Sequence, residues 1–152
     1  MPKFLDRLFQ RFRPVRRNDP IFGSMLYMGN KLKYWEGKAR FLPSSSEIEV
    51  FVDGDMEFPF KRQYEFFERV CGEWQELCQV IAPALQEVFS RANSRPLAAA
   101  VWEEFNVRSI SIPDSTLDAA KWTISLDAKS DAAHSYFVEM KGRVPEVASW
   151  DS

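Results

Sequence analysis

The side chains that could support catalysis are few and lie far apart along the chain. His134 is the only histidine, and a histidine acts as a general base when a nucleophile and an orienting carboxylate lie beside it. Asp131 is close in sequence, but no motif supplies the nucleophile. The chain has no phosphate loop, dinucleotide glycine pattern, nucleophile elbow or metalloprotease helix. We therefore expect a capping or surface role for His134, and we predict a protein that is not an enzyme and uses no cofactor.

The two cysteines, Cys71 and Cys78, lack the partners that a disulfide or a zinc site requires. On one straight helix their α-carbons would lie about 10 Å apart, which is beyond the reach of a disulfide. A single histidine does not complete a zinc ligand set with them. We expect free, buried thiols, which suit a reducing cytoplasm, and we predict a cytoplasmic protein.

Three acidic residues at alternate positions, Asp53, Asp55 and Glu57, have the first spacings of a calcium-binding EF-hand loop. The later positions fail, because Phe58 stands where a glycine is needed and Tyr64 stands where a bidentate Glu is needed. We expect a solvated turn and no metal site. The three carboxylates are candidate partner-binding residues.

The chain begins with a basic segment that has one apolar face. Phe4, Leu8 and Phe12 share that face of a predicted short helix, and Arg7 and Arg11 flank it. These five residues are candidates for contact with anionic lipid or with a groove on a partner. Residues 1–17 hold six Lys/Arg and one Asp, a net charge of +5, so the rest of this −2 chain carries −7. The acidic remainder argues against nucleic-acid binding.

The longest periodic segment, residues 59–93, predicts the central helix. A helix of about 30 residues would be roughly 45 Å long, and Pro83 can neither donate to the carbonyl of Gln79 nor fit that turn without crowding. We expect a kink at Pro83, or two helices with Pro83 in the first turn of the second. The apolar stripe that should face the core has a spacing of three and four and comprises Phe66, Val70, Trp74, Leu77, Ile81, Leu85 and Val88.

Short alternating segments on both sides of the central helix predict strands. This order of strands, helices and strands predicts an α+β fold: a largely antiparallel sheet with a long or Pro-kinked helix packed on one face, plus an N-terminal amphipathic helix. The predicted division is a basic segment 1–18, a single α+β domain 19–144 and a loose tail 145–152. The predicted strands are 24–28, 32–42, 47–52, an edge strand at 55–60, and 107–112, 122–128 and 135–141, with a short helix at 97–105.

Several turns and strand aromatics occur together between residues 19 and 142. They are Asp19-Pro20-Ile21-Phe22-Gly23, Tyr34-Trp35-Glu36-Gly37 with Phe41 and Pro43, Glu49-Val50 with Val52, the helix opening from Gln63 to Phe66-Phe67, Trp122, and His134 with Phe137-Val138-Glu139. Together they resemble a group of small uncharacterised bacterial proteins, domains of unknown function, some of which are similar to immunity proteins of toxin systems. The resemblance implies a bacterial cytoplasmic protein and carries over no catalytic residue.

Two functions are compatible with these features. The acidic body, the abundance of aromatic residues (13 Phe and 5 Trp) and the lack of catalytic motifs favour a non-enzymatic protein-binding module, such as an immunity-type protein that covers a toxin. The alternative is a peripheral membrane or assembly factor that docks through residues 3–13. A hydrolase whose active site assembles from residues distant in sequence ranks third. The sequence identifies no partner, ligand or oligomeric state.

Overall fold

The computed structural model describes residues 15–56 and 60–152. Eight strands form one sheet, and their spatial order is their order along the chain. They are β1 (Arg16–Asp19), β2 (Gly23–Tyr27), β3 (Tyr34–Phe41), β4 (Ser46–Asp53), β5 (Phe105–Ile112), β6 (Lys121–Ala128), β7 (Asp131–Lys141) and β8 (Val144–Asp151).

Four helical segments complete the described structure. A single turn, α1 (Gly29–Leu32), follows β2, and the other three lie between β4 and β5. These are α2 (Lys61–Gly72), α3 (Trp74–Asn93) and the short α4 (Val101–Glu104). Within the described residues, no helix has both the length and the hydropathy needed to cross a membrane.

The predicted fold class is wrong, because the sheet is mixed and it dominates the molecule. Neighbouring strands are antiparallel except for β4 and β5, which run parallel with Glu49 opposite Ser109 and Val52 opposite Ile112. A parallel neighbour requires a crossover connection, and the three helices between β4 and β5 supply it. The strands also contain more of the described residues than the helices do. The predicted N-terminal helix lies outside the described residues.

The central segment forms two helices, and the break is at Glu73 instead of Pro83. Helix α2 ends at Gly72, where glycine weakens the helix by roughly 1 kcal/mol relative to alanine. The Arg143 guanidinium holds this junction by donating to the Glu73 carboxylate at 2.7 and 3.0 Å. Pro83 lies inside α3, which continues past it to Asn93. The expected helix start at Pro83 is therefore wrong, because the second helix begins nine residues earlier, at Trp74.

The core lies between the helices and one face of the sheet. The predicted helical stripe is buried except for Trp74, which is half-buried. It packs against inward residues of the strands, which include Trp35, Val50, Ile110, Ile124 and Val138. The opposite face of the sheet carries charged and hydroxyl side chains with Phe51 and Phe137 half-buried among them. No described helix covers that face.

Both ends of the sheet differ from the sequence prediction. Residues 145–151, which make up most of the predicted loose tail 145–152, belong to β8, and β8 pairs with β7 and packs against α3. At the other end, β1 precedes the expected turn at Asp19, whose carboxylate accepts from the backbone N–H groups of Ile21 and Phe22. Of the predicted edge strand 55–60, the described residues 55, 56 and 60 are not in a strand.

Candidate binding cleft

The sheet opens into a cleft where β4 and β5 diverge. Their parallel pairing begins only at Glu49 and Ser109. Immediately before that point β5 has a bulge between Val107 and Ser109, and a bulge bends its strand and interrupts the ladder. The starts of both strands, residues 46–48 and 105–108, therefore bound a cleft of about 690 Å³. We call this region the β4–β5 cleft.

Aromatic side chains from the helices and strands line the floor of the β4–β5 cleft. The rings of Phe41 and Trp74 meet edge to face with centroids 4.9 Å apart, and Trp74 meets Trp102 at 5.5 Å. The Trp102 indole donates to the Cys78 carbonyl at 3.1 Å, which fixes the ring. Such packed, hydrogen-bonded rings give a rigid apolar surface.

Charged side chains surround the mouth of the cleft. On the β4 side, the Lys38 ammonium lies 4.0 Å from the Glu47 carboxylate, and Lys38 also pairs in register with Glu49 across β3 and β4. On the β5 side, Arg108 contacts the Asp127 carboxylate at 3.3 Å. The rim thus has three carboxylates and two cations. All of these groups remain in contact with water.

The thiol in the β4–β5 cleft is not an activated nucleophile. Burial raises the pKa of Cys78 to about 11, so its sulfur stays protonated at neutral pH, whereas catalytic cysteines have lowered pKa values. Cys71 is also a free thiol, and burial raises its pKa as well. The expectation of free cysteines is confirmed, although both are half-buried instead of fully buried.

A second group of residues has side chains that are more typical of a catalytic site than those of the cleft are. Asp131 accepts from His134 Nδ1 at 2.8 Å, from the Asn93 amide at 3.0 Å and from the Tyr136 hydroxyl. The Asn93 amide also donates to the Tyr136 oxygen at 2.8 Å. We call these four residues the Asp131 cluster. They connect the last turn of α3 to the start of β7.

Electrostatics make the Asp131 cluster a closed unit. Burial alone would raise the pKa of Asp131, but the hydrogen bonds from Tyr136, His134 and Asn93 outweigh burial and lower the pKa to about 2. Burial and the neighbouring carboxylate raise the pKa of Tyr136. Among the described residues, no serine, threonine or cysteine side chain is hydrogen-bonded to His134. The cluster therefore has a base and an orienting acid without a nucleophile.

The acidic turn that the sequence singled out lies away from the cleft. Asp53 ends β4, whereas the cleft is at the start of that strand, about 25 Å away for eight residues. The turn is fixed through its backbone, since the Asp53 carbonyl accepts from Gln63 at 2.8 Å and the Asp55 carbonyl accepts from Trp35 at 2.9 Å. Burial, and then the charge of Asp114, raises the pKa of Asp53. Glu57 lies outside the described residues.

The remaining predicted site residues are not placed by the structure. Phe4, Arg7, Leu8, Arg11 and Phe12 lie outside the described residues, so membrane or partner contact through them stays a prediction. In the part of the chain that the structure describes, no group of three His, Cys, Asp or Glu side chains could hold a metal ion.

Sequence reasoning missed the β4–β5 cleft. The sequence places Trp74 in the core stripe and Trp102 in a short helix, and nothing local indicates that their rings meet. The bulge at Arg108 leaves no signature in the alternation of β5. The relevant signal in the sequence is the abundance of aromatic residues, 13 Phe and 5 Trp, which leaves material for an apolar contact surface beside the core.

Comparison with known proteins adds no family to this description. No family model, no curated protein and no solved structure matches the chain.

Proposed function

We propose that this chain is a non-enzymatic module that binds another protein through the β4–β5 cleft. The observation that carries the proposal is an open cleft between two strands that is lined by the half-buried rings of Trp74 and Trp102, with the buried ring of Phe41 packed against Trp74. Buried aromatic pockets ringed by polar groups are typical of the centres of protein interfaces. The volume of about 690 Å³ lies within the usual range for ligand sites.

The contents of the cleft favour binding over catalysis. Its titratable groups, Lys38, Glu47, Glu49, Arg108 and Asp127, lie at the rim, and the Cys78 thiol stays protonated. The base and acid of the Asp131 cluster do not line it. A catalytic site would need a nucleophile beside its base.

The acidic charge supports a basic protein partner. Residues 18–152 carry −7, and charge of one sign steers an oppositely charged partner while repelling nucleic acid. An immunity-type role, in which the module covers a toxin, is the specific form of this proposal. This form of the proposal follows from the sequence resemblance of residues 19–142 to small uncharacterised bacterial proteins, some of which are similar to immunity proteins.

Site-specific photo-crosslinking in the source cell tests the proposal. A photoreactive amino acid replaces Asn106, which is exposed at the cleft, and in a matched control it replaces Gln86, which is exposed on α3. We expect one protein adduct at position 106 that is absent at position 86. That protein, once purified, should bind the wild-type chain and not Asn106→Trp, whose indole would fill the cleft mouth.

Two results would overturn the proposal. One is the absence of any adduct at position 106 beyond those seen at position 86. The other is a purified partner that binds Asn106→Trp as tightly as the wild-type chain.

A further inference from the structure

Among the described residues, the two strand segments that bound the β4–β5 cleft have no strand partner across the cleft, although the Phe105 N–H already donates to the Val101 carbonyl. Residues 46–48 pair with β3 on one side, and residues 105–107 pair with β6 on the other. Across the cleft, the two segments do not pair with each other, because their ladder begins at Glu49 and Ser109. Successive backbone N–H and C=O groups of a strand point to alternate sides. Each segment therefore directs some of its polar backbone groups into the cleft.

Unpaired strand edges are complementary to another extended main chain. A peptide that lies along an edge forms ladder hydrogen bonds, and pockets beside the edge select its side chains. A compact small molecule presents no repeating row of donors and acceptors. The backbone edges of the cleft thus favour a peptide segment as the occupant.

The aromatic floor selects one large apolar side chain. Phe41, Trp74 and Trp102 are already packed against each other, and the Trp102 indole is held by the Cys78 carbonyl. Binding then costs little ordering of the pocket. An aromatic or large aliphatic residue of a partner fits such a surface, as at the centre of other interfaces.

The rim selects a basic residue beside that apolar anchor. Among the described residues, the Lys38 ammonium lies 4.0 Å from the Glu47 carboxylate, and Lys38 is opposite Glu49 in the register of β3 and β4. Arg108 is engaged by Asp127 at 3.3 Å and by the Ser135 hydroxyl at 3.1 Å. A Lys or Arg on the partner would balance the remaining carboxylate, and such complementarity adds specificity.

We infer that the β4–β5 cleft binds an extended segment of a partner protein that carries a large apolar residue next to a Lys or Arg. The inference rests on the proposed protein-binding function. It specifies the chemistry and the backbone conformation of what is bound.

Selection from a random heptapeptide phage library, with the full chain as bait and Asn106→Trp for counter-selection, tests the inference. We expect the enriched peptides to share an aromatic, Leu, Ile or Met residue within two positions of a Lys or Arg. A synthetic enriched peptide should change the tryptophan fluorescence of the chain. Glu49→Gln should weaken its binding about two- to fivefold, whereas Glu139→Gln, an exposed change on β7, should leave it unchanged.

An N-methyl scan of the enriched peptide tests the extended conformation. Methylation removes one N–H donor at a time, so alternate positions should lose about fivefold or more in affinity. The inference would be overturned if methylation at every position left the affinity unchanged. It would also be overturned if the enriched peptides lacked the apolar and basic pair. Binding of N-acetyl-tryptophanamide as tight as that of the peptide would identify a small-molecule pocket and would also overturn it.

These results separate the two proposals. If position 106 crosslinks to one protein whose binding is blocked by Asn106→Trp, but peptides of the expected chemistry fail, protein binding stands and the inference is wrong. If position 106 gives no specific adduct, the proposed function itself is wrong.

Discussion

The Asp131 cluster and the β4–β5 cleft use their side chains in opposite ways. In the cluster, a carboxylate, an imidazole, a phenol and an amide bond to one another, and Asp131 is 7% exposed. In the cleft, the half-buried rings of Trp74 and Trp102 and the starts of two strands line open space, and the charged groups lie at the rim. The residue types alone would assign chemistry to the first region and packing to the second.

The two regions differ in whether their interacting groups already have partners within the described chain. A buried polar group is stabilising when it is fully bonded and costly when it is not. The Asp131 cluster meets this requirement internally, and it fastens α3 to β7. The cleft leaves interactions for another molecule to complete. The proposed binding therefore uses the less reactive set of residues.

Removal of the shared acceptor should have the largest effect on folding. In Asp131→Ala, the Tyr136 hydroxyl, the Asn93 amide and His134 Nδ1 all lose their carboxylate partner in a buried site. We expect the free energy of unfolding to fall by about 3 kcal/mol or more. Urea denaturation measures the free energy of unfolding of the variant and of the wild-type chain. The matched control Asp127→Ala removes a carboxylate that is 55% exposed and should cost less than about 1 kcal/mol.

An equal loss in the two variants would remove the distinction between a closed cluster and an open rim. In that case the buried Asp131 would stabilise the fold no more than the exposed Asp127 does.

The pH dependence of stability should identify the same carboxylate. The pKa of Asp131 is about 2 in the folded protein and about 3.9 in an unfolded chain. The unfolded state thus takes up the proton first, and the contribution of Asp131 is fully present above about pH 4 and is lost as the pH falls towards 2. The stability difference between wild type and Asp131→Asn should be constant from pH 7 to 5 and narrow below about pH 4.

Urea denaturation at half-unit pH steps measures that difference. A difference that stays constant down to pH 3 would contradict the lowered pKa. Glu73, Glu104 and Asp118 also have lowered pKa values, but they are present in both proteins, so their contributions cancel.

The strand alternation and the helical stripe were the features that sequence could predict. Trp35, Val50, Ile124 and Val138 lie inward as expected, because alternation depends on the local chain alone. The parallel pairing of β4 with β5 depends on the path of the long connection between them, and no residue in either strand indicates that path. The sequence does not predict the edge strand β8, because its large apolar residues Val147 and Trp150 lie on opposite faces. Both are partly exposed, so they do not mark a single buried face.

The site was less predictable than the fold for the same reason. The β4–β5 cleft needs the bulge at Arg108 and the meeting of Trp74 with Trp102, and both depend on contacts between distant parts of the chain. The hydrogen bond between His134 and Asp131 was within reach of sequence reasoning, since only three positions separate them. Its structural role was not, because Asn93 and Tyr136 had to be placed first.

Loss of the ion pairs around Arg143 should lower the free energy of unfolding by less than Asp131→Ala does and by more than substitutions at the β4–β5 cleft do. The Arg143 guanidinium bonds to Glu73 at the α2–α3 junction and to Asp118, and its side chain is 34% exposed. These hydrogen bonds lower the pKa of Glu73 and raise that of Arg143. We expect Arg143→Gln to lose about 1 kcal/mol of unfolding free energy, and less at 1 M salt, because exposed pairs are weak and screened.

Thermal or urea denaturation of Arg143→Gln at low and high salt measures that loss. Lys141→Gln, an exposed change nearby on β7, is the control and should be neutral. A loss as large as that of Asp131→Ala would mean that partial exposure does not weaken this network.

The smallest effect on folding should come from changes at the β4–β5 cleft itself. Asn106 and Glu49 are exposed, and surface substitutions away from buried networks usually stay within about 0.5 kcal/mol. We expect Asn106→Trp and Glu49→Gln to leave urea denaturation unchanged while they abolish or weaken partner binding. If Asn106→Trp instead costs more than about 1 kcal/mol, the rim of the cleft supports the fold. A loss of binding in that variant would then reflect damage to β5 and could not be assigned to a filled cleft.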